Sequence, residues 1–194
     1  LTNVQEPKKI ENINKSNITM FTAAALNVKY KGQALVIKAI AKLKKQGINI
    51  TYYLAGKGDN TYLTKISKKY GVEKNVIFLG MLSREELFRK FREYDIYIQP
   101  SLQEGLPRSL IEAMSNGCFC LGSTTAGIPE LLQKQQVFRR GNVNAIVNAI
   151  KHNIDANFNE ISIRNIEKSR EYLSEVLNKR RYDFYDMILR EINE

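Results

Sequence analysis

"DIYIQPSLQEGLPRSLIEAMSNGCFCLGS", residues 95–123, decides the fold. Residues 95–101 are rich in Ile and Tyr and stop at Pro100, which reads as a strand. Residues 107–117 read as a helix, with Pro107 suited to its first turn. Residues 118–123 read as a second strand. Strand, loop, helix, strand is one βαβ unit.

The same alternation runs outward on both sides. Strands are predicted at 18–26, 48–56 and 75–80, with a last short one at 136–138. Helices are predicted at 32–47, 60–71, 83–94 and 143–153. The first of these carries an apolar stripe through Val36, Ile40 and Leu43 and ends at Gly47. Ser83 and Glu86 have the spacing of a capping box. Strands alternating with helices of about ten to fifteen residues imply a parallel sheet with helices on both faces. The predicted fold class is therefore α/β, a Rossmann-like doubly wound sheet with ligands at the C-terminal ends of its strands. Residues 1–17 are polar and read as a linker or lead-in, 18–158 as the domain, and 159–194 as a C-terminal helical tail. Leu173, Val176, Leu177, Ile188, Leu189 and Ile192 supply the apolar faces of that tail.

Bulk properties narrow the function. The chain has 194 residues, 43% hydrophobic and 26% charged, with a net charge of +10 and a pI near 9.5. That suits one globular domain. The charge favours an anionic partner only weakly, because the lysines are spread over helix-like faces (Lys42, Lys44 and Lys45; Lys65, Lys68 and Lys69). No nucleic-acid motif accompanies them. No apolar run reaches the length of a membrane span and no signal-peptide pattern opens the chain, so a cytoplasmic location is expected. The first residue is Leu, which leads us to expect a piece of a longer protein. Cys118 and Cys120 read as buried free thiols rather than metal ligands, since the single histidine, His152, lies far along a polar segment.

Glu104 and Glu112 stand with seven residues between them. Loop-to-helix geometry can turn both toward one ligand, and the amides near the helix start favour an anion. Two acceptor-only carboxylates suit paired sugar hydroxyls. Ser109 to Glu112 also has capping-box spacing, and the pair taken alone favours a surface loop acid beside a solvated helix acid over a site. Spacing alone leaves these alternatives open.

The flanking motifs bear on the choice. "YKGQALVIKAI", "YYLAGKGD", "NVIFLGMLSREELFRKFREYDIYI", "EGLPRSLIEAMSNG" and "GSTTAGIPELL" follow one another across residues 20–155. In order and spacing they closely resemble the retaining glycosyltransferases of family 4, the group 1 transferases with the two-domain GT-B fold. The resemblance implies that Glu112 binds the ribose hydroxyls of a nucleoside-diphosphate sugar and that Glu104 contacts the transferred sugar. It gives Gly105, Leu106, Pro107 and Arg108 to the sugar and diphosphate, and Lys31 to the phosphates. The family's usual arginine five or six residues before that lysine is replaced by Ala25 or Leu26, with Lys29 a partial substitute. Gly80, Met81 and Leu82 match the base-reading loop. Gly56 and Gly58 match a glycine-rich turn, which a plain tight turn explains almost as well. Tyr30 and Tyr97 read as packing residues, and Glu130 as structural.

The implied reaction moves a sugar to an acceptor hydroxyl with retention, in surface polysaccharide or glycolipid synthesis. It needs no cofactor and no metal. The implied partners are the donor and a missing N-terminal acceptor domain, without which the chain is expected to be inactive. An anionic membrane surface facing Lys179, Arg180 and Arg181 is compatible with this reading. The alternative is a stand-alone, non-catalytic nucleotide-binding or interaction domain.

Overall fold

The computed structural model describes residues 1, 4, 5 and 17–193. Most of the expected lead-in, residues 2, 3 and 6–16, lies outside the described residues.

Six strands form one parallel sheet: β1 (Ile18–Ala23), β2 (Ile50–Ala55), β3 (Val76–Gly80), β4 (Ile96–Gln99), β5 (Phe119–Ser123) and β6 (Val137–Phe138), in the spatial order β3-β2-β1-β4-β5-β6. The helices are α1 (Gln33–Lys44), α2 (Thr61–Lys69), α3 (Arg84–Glu93), α4 (Arg108–Ser115), α5 (Ile128–Leu131), α6 (Val143–Asn153), α7 (Phe158–Arg170) and α8 (Ser174–Asn193). The predicted elements are all present, most of them shorter by one or more residues at an end. α5 was not expected.

Alternation along each strand divides the interior into two cores. Ile18, Met20, Ile96, Ile98, Phe119 and Leu121 point to one face and pack with Val36, Ile40 and Leu43 of α1 and Ile146 and Ile150 of α6. Phe21, Tyr97 and Cys120 point to the other, against Phe91 of α3, Leu110 and Met114 of α4 and Ile128 of α5. Both cysteines are buried as free thiols. A sheet covered on both faces needs such two-sided strands.

One local signal appears as read, and one close approach is new. Ser83 Oγ accepts from the Glu86 amide while Glu86 returns the bond to the Ser83 amide, capping α3. Gly32 has φ 78°, and a Cβ placed on it would lie 2.0 Å from the Pro100 carbonyl oxygen. That backbone approach leaves room for no side chain. It clips the turn before α1 to the loop after β4, where the Leu102 amide also donates to Tyr30 O at 2.7 Å.

The tail is helical as expected, in two helices interrupted at 171–173. Phe158 of α7 packs its ring tilted on that of Phe119, centres 4.2 Å apart, and Asn165 Nδ2 donates to Cys118 O at 2.8 Å, so α7 packs on the sheet. α8 runs out over solvent. Leu189 and Ile192, expected on apolar faces, are 57% and 73% exposed. α8 carries four basic residues (Lys179, Arg180, Arg181, Arg190) and four acidic ones (Glu175, Asp183, Asp186, Glu191), so it brings no net charge to an anionic surface. Among the described residues, no helix is long and apolar enough to cross a membrane.

Gly32→Ala is expected to lower stability by more than about 1 kcal/mol, beyond the usual cost of a disfavoured φ, because the Pro100 carbonyl must also move. Urea unfolding measures this; an unchanged midpoint would contradict the described contact.

Candidate functional site

The winding of the sheet reverses between β1 and β4, and a crevice opens outside the C-terminal ends of those two strands. Lys31 arrives from the end of β1 and Glu104 from the end of β4. Lys31 Nζ lies 2.7 Å from Glu104 Oε1, with both side chains largely shielded. Lys31, Glu104, Leu106, Pro107, Arg108, Ser109 and Glu112 line a cleft of about 550 Å³.

Glu104 is held on one side only. Gln99 Nε2 and Ser101 Oγ also donate to Oε1, at 3.0 and 2.8 Å. All three donors converge on that oxygen, and among the described residues none reaches Oε2.

Glu112 sits differently. Its side chain is half-buried on α4, and no side-chain hydrogen bond serves it among the described residues. Burial pushes its carboxyl above the ordinary glutamate range, with Arg84 and Arg108 pulling partly back. The competing capping box does not form. α4 begins at Arg108 with Pro107 as its N-cap, one position earlier than the first-turn placement expected for this proline. Ser109 Oγ instead donates to Gln99 Oε1 at 3.2 Å. The backbone amides of Leu106, Arg108 and Ser109 have no acceptor within the described chain, so the start of α4 faces the cleft with open donors.

Of the residues named from the sequence, Lys31, Glu104, Leu106, Pro107, Arg108 and Glu112 line one cleft, and Gly105 lies in the loop between them. The others do not line it. Lys29 Nζ sits 5.1 Å from the centre of the Tyr62 ring. The Gly56 amide donates to Gly80 O at 2.8 Å, joining the ends of β2 and β3 at the same sheet edge. Gly56 is required there because a Cβ would meet Ala24 O at 2.0 Å. Met81 is 72% exposed, while Leu82 packs against the second core. Tyr97 packs as expected. Tyr30 does not: it is half-exposed, with Lys31 Nζ 5.4 Å from its ring centre. Glu130 is exposed in the first turn of α5.

Sequence reading missed Gln99, Ser101 and Ser109. The available signal was a glutamine closing an otherwise apolar strand, in step with Tyr97 two residues earlier. Among the described residues, no group of three or more His, Cys, Asp or Glu could hold a metal ion.

The chain resembles known proteins in sequence and in fold. It is 35% identical to Protein CapJ of Staphylococcus aureus over 157 residues, 79% of this chain and 40% of CapJ. It is 36% identical to the amylovoran biosynthesis glycosyltransferase AmsK of Erwinia amylovora over 110 residues, 53% of this chain and 27% of that protein. It thus spans well under half the length of these relatives. Among solved structures, sucrose-phosphate synthase from Thermosynechococcus elongatus superposes with a TM-score of 0.78 at 16% identity, over 92% of this chain and 47% of that one. Anabaena HepE, solved in complex with UDP, gives 0.76 at 21% identity over 89% and 49%; a further HepE structure holds UDP and glucose. At these identities the superpositions establish the Rossmann-like fold of one half of a GT-B protein. The model of the glycosyl transferases group 1 family matches residues 3–174, and the chain belongs to that family.

Proposed function

We infer that the cleft binds a nucleoside-diphosphate sugar and that this chain is the donor-binding part of a retaining, family 4 glycosyltransferase. The observation that carries this is the meeting of two unlike carboxylates, a lysine and open helix-start amides in one cleft. Glu104 Oε2 accepts from the hydroxyls of the transferred sugar. Glu112 accepts from the ribose hydroxyls, which restore the hydrogen bonds that burial has taken from it. Lys31 and the amides at the start of α4 take the diphosphate, whose negative charge grows as the glycosidic bond to the sugar breaks. Arg108 adds a second cation beside that helix start, where a positive charge is unfavourable unless an anion accompanies it.

The reaction delivers the sugar to an acceptor hydroxyl with retention. The acceptor is held by a second domain outside these 194 residues, so this chain binds the donor without turning it over. The share of CapJ and of the solved structures that the chain covers supports that division. Relatives named for amylovoran and colanic acid biosynthesis support a place in surface polysaccharide or glycolipid synthesis. The enzyme works from the cytoplasmic side and needs no metal for the transfer.

Isothermal titration calorimetry with UDP, GDP and ADP, and with the glucose conjugate of each, tests the assignment. Glu112→Ala is expected to weaken every bound nucleotide by about tenfold, as loss of charged hydrogen bonds does. Glu104→Ala is expected to spare the free nucleotide and weaken only the conjugate. Equal losses for both ligands in both variants would refute the roles given to the two acids.

The raised carboxyl of Glu112 has a consequence for stability. A folded-state value above the unfolded one means that stability is full below about pH 4.3, the unfolded range, and falls as pH rises through the folded value. Glu112→Gln is therefore expected to raise the urea midpoint at pH 7.5, with the gain disappearing below about pH 4. A gain of the same size at both pH values would exclude the burial cost as its source.

A further inference from the structure

Under the floor of the cleft one amide makes four hydrogen bonds. Gln99, the last residue of β4, is 1% exposed. Its Nε2 donates to Glu104 Oε1 and to Ser101 Oγ, each at 3.0 Å. Its Oε1 accepts from Tyr97 OH at 2.7 Å and from Ser109 Oγ at 3.2 Å. These partners fix which end of the amide is which, since a flipped amide would set its oxygen against the Glu104 carboxylate. Burial pushes the Tyr97 phenol up and away from ionisation, so it stays a donor. Ser101, itself fully buried, accepts from Gln99 and passes a bond on to Glu104 at 2.8 Å.

The three donors on Glu104 Oε1 are not equivalent. Lys31 is an ammonium on a flexible stem, free to follow any anion that enters the cleft. Gln99 and Ser101 are neutral and buried, and Gln99 is locked by its own partners. When an anion draws Lys31 away, these two remain.

We propose that Gln99 is a positioning residue for Glu104. Acting through that carboxylate and touching no substrate, it keeps Oε1 engaged and Oε2 bare after Lys31 has moved to the diphosphate. This role rests on reading the cleft as a nucleotide-sugar site. Tyr97 and Ser109 serve it by fixing the amide, which ties the orientation of Glu104 to β4 and α4 rather than to its own loop. Without Gln99 only the Ser101 hydroxyl still holds Oε1, the carboxylate gains freedom to turn, and the sugar hydroxyls meet a less fixed acceptor.

The test compares ligands within one variant. Calorimetry is run on this chain with UDP, GDP and ADP and with their glucose conjugates. Gln99→Leu is expected to lower affinity for the bound conjugate about tenfold, as loss of a hydrogen bond to a charge does, while the matching free nucleotide stays within about twofold. Tyr97→Phe keeps the packed ring and removes only the hydroxyl. It is expected to give a smaller loss in the same direction, and it decides the matter if Gln99→Leu does not fold. A conjugate-to-nucleotide ratio left unchanged in the folded variants, or equal weakening of both ligands, overturns the role of Gln99 alone. If the unsubstituted chain binds none of the six compounds, the reading of the cleft falls and this inference falls with it.

Discussion

The Pro100 carbonyl lies where a side chain on Gly32 would have to be, and the cleft depends on that closeness. It presses the turn before α1 onto the loop after β4, so that residues 31 and 104, far apart in sequence, meet within a salt-bridge distance. The sheet order makes the approach possible. β1 and β4 are neighbours at the point where winding reverses, and their C-terminal ends open side by side. A side chain at position 32 would separate the lysine from the acids before any ligand arrived.

The two acids in the cleft are not duplicates. Glu104 is held by a shielded lysine, an amide and a hydroxyl, all on one oxygen. Glu112 is half-buried with no bond to its side chain among the described residues, and its burial is a standing cost. An acid that served only to cap or solubilise a helix would sit at the helix start or on an exposed face. Glu112 does neither, which is why the capping-box explanation fails on geometry.

Most of the fold was legible because its signals are local. Strand alternation, Gly47 and the Ser83–Glu86 cap each depend on neighbours in the chain. The break between α7 and α8 was not legible, because residues 171–173 carry neither proline nor glycine. The exposed Leu189 and Ile192 lie on the helix beyond that break. At the site, the family-like motifs pointed to Lys31, Glu104 and Glu112. The polar floor beneath them depends on which residues face α4 across the sheet, a tertiary relation. Gln99 at the end of an apolar strand was the single hint. Tyr30 was misjudged for the opposite reason: an aromatic beside a lysine looks like core in one dimension, yet its ring lies over the surface.

Holding a carboxylate by one oxygen also makes it directional. Oε2 of Glu104 has two lone pairs to offer, both set in space by the bonds behind them. For a sugar seated over it, such an acceptor distinguishes epimers: a hydroxyl turned from equatorial to axial leaves the line of those lone pairs, and the carboxylate has no freedom to follow. A freely rotating acid would tolerate either isomer. If the cleft takes a donor sugar as proposed, the bonds on Oε1 from Gln99 and Ser101 would make Glu104 a stereochemical filter.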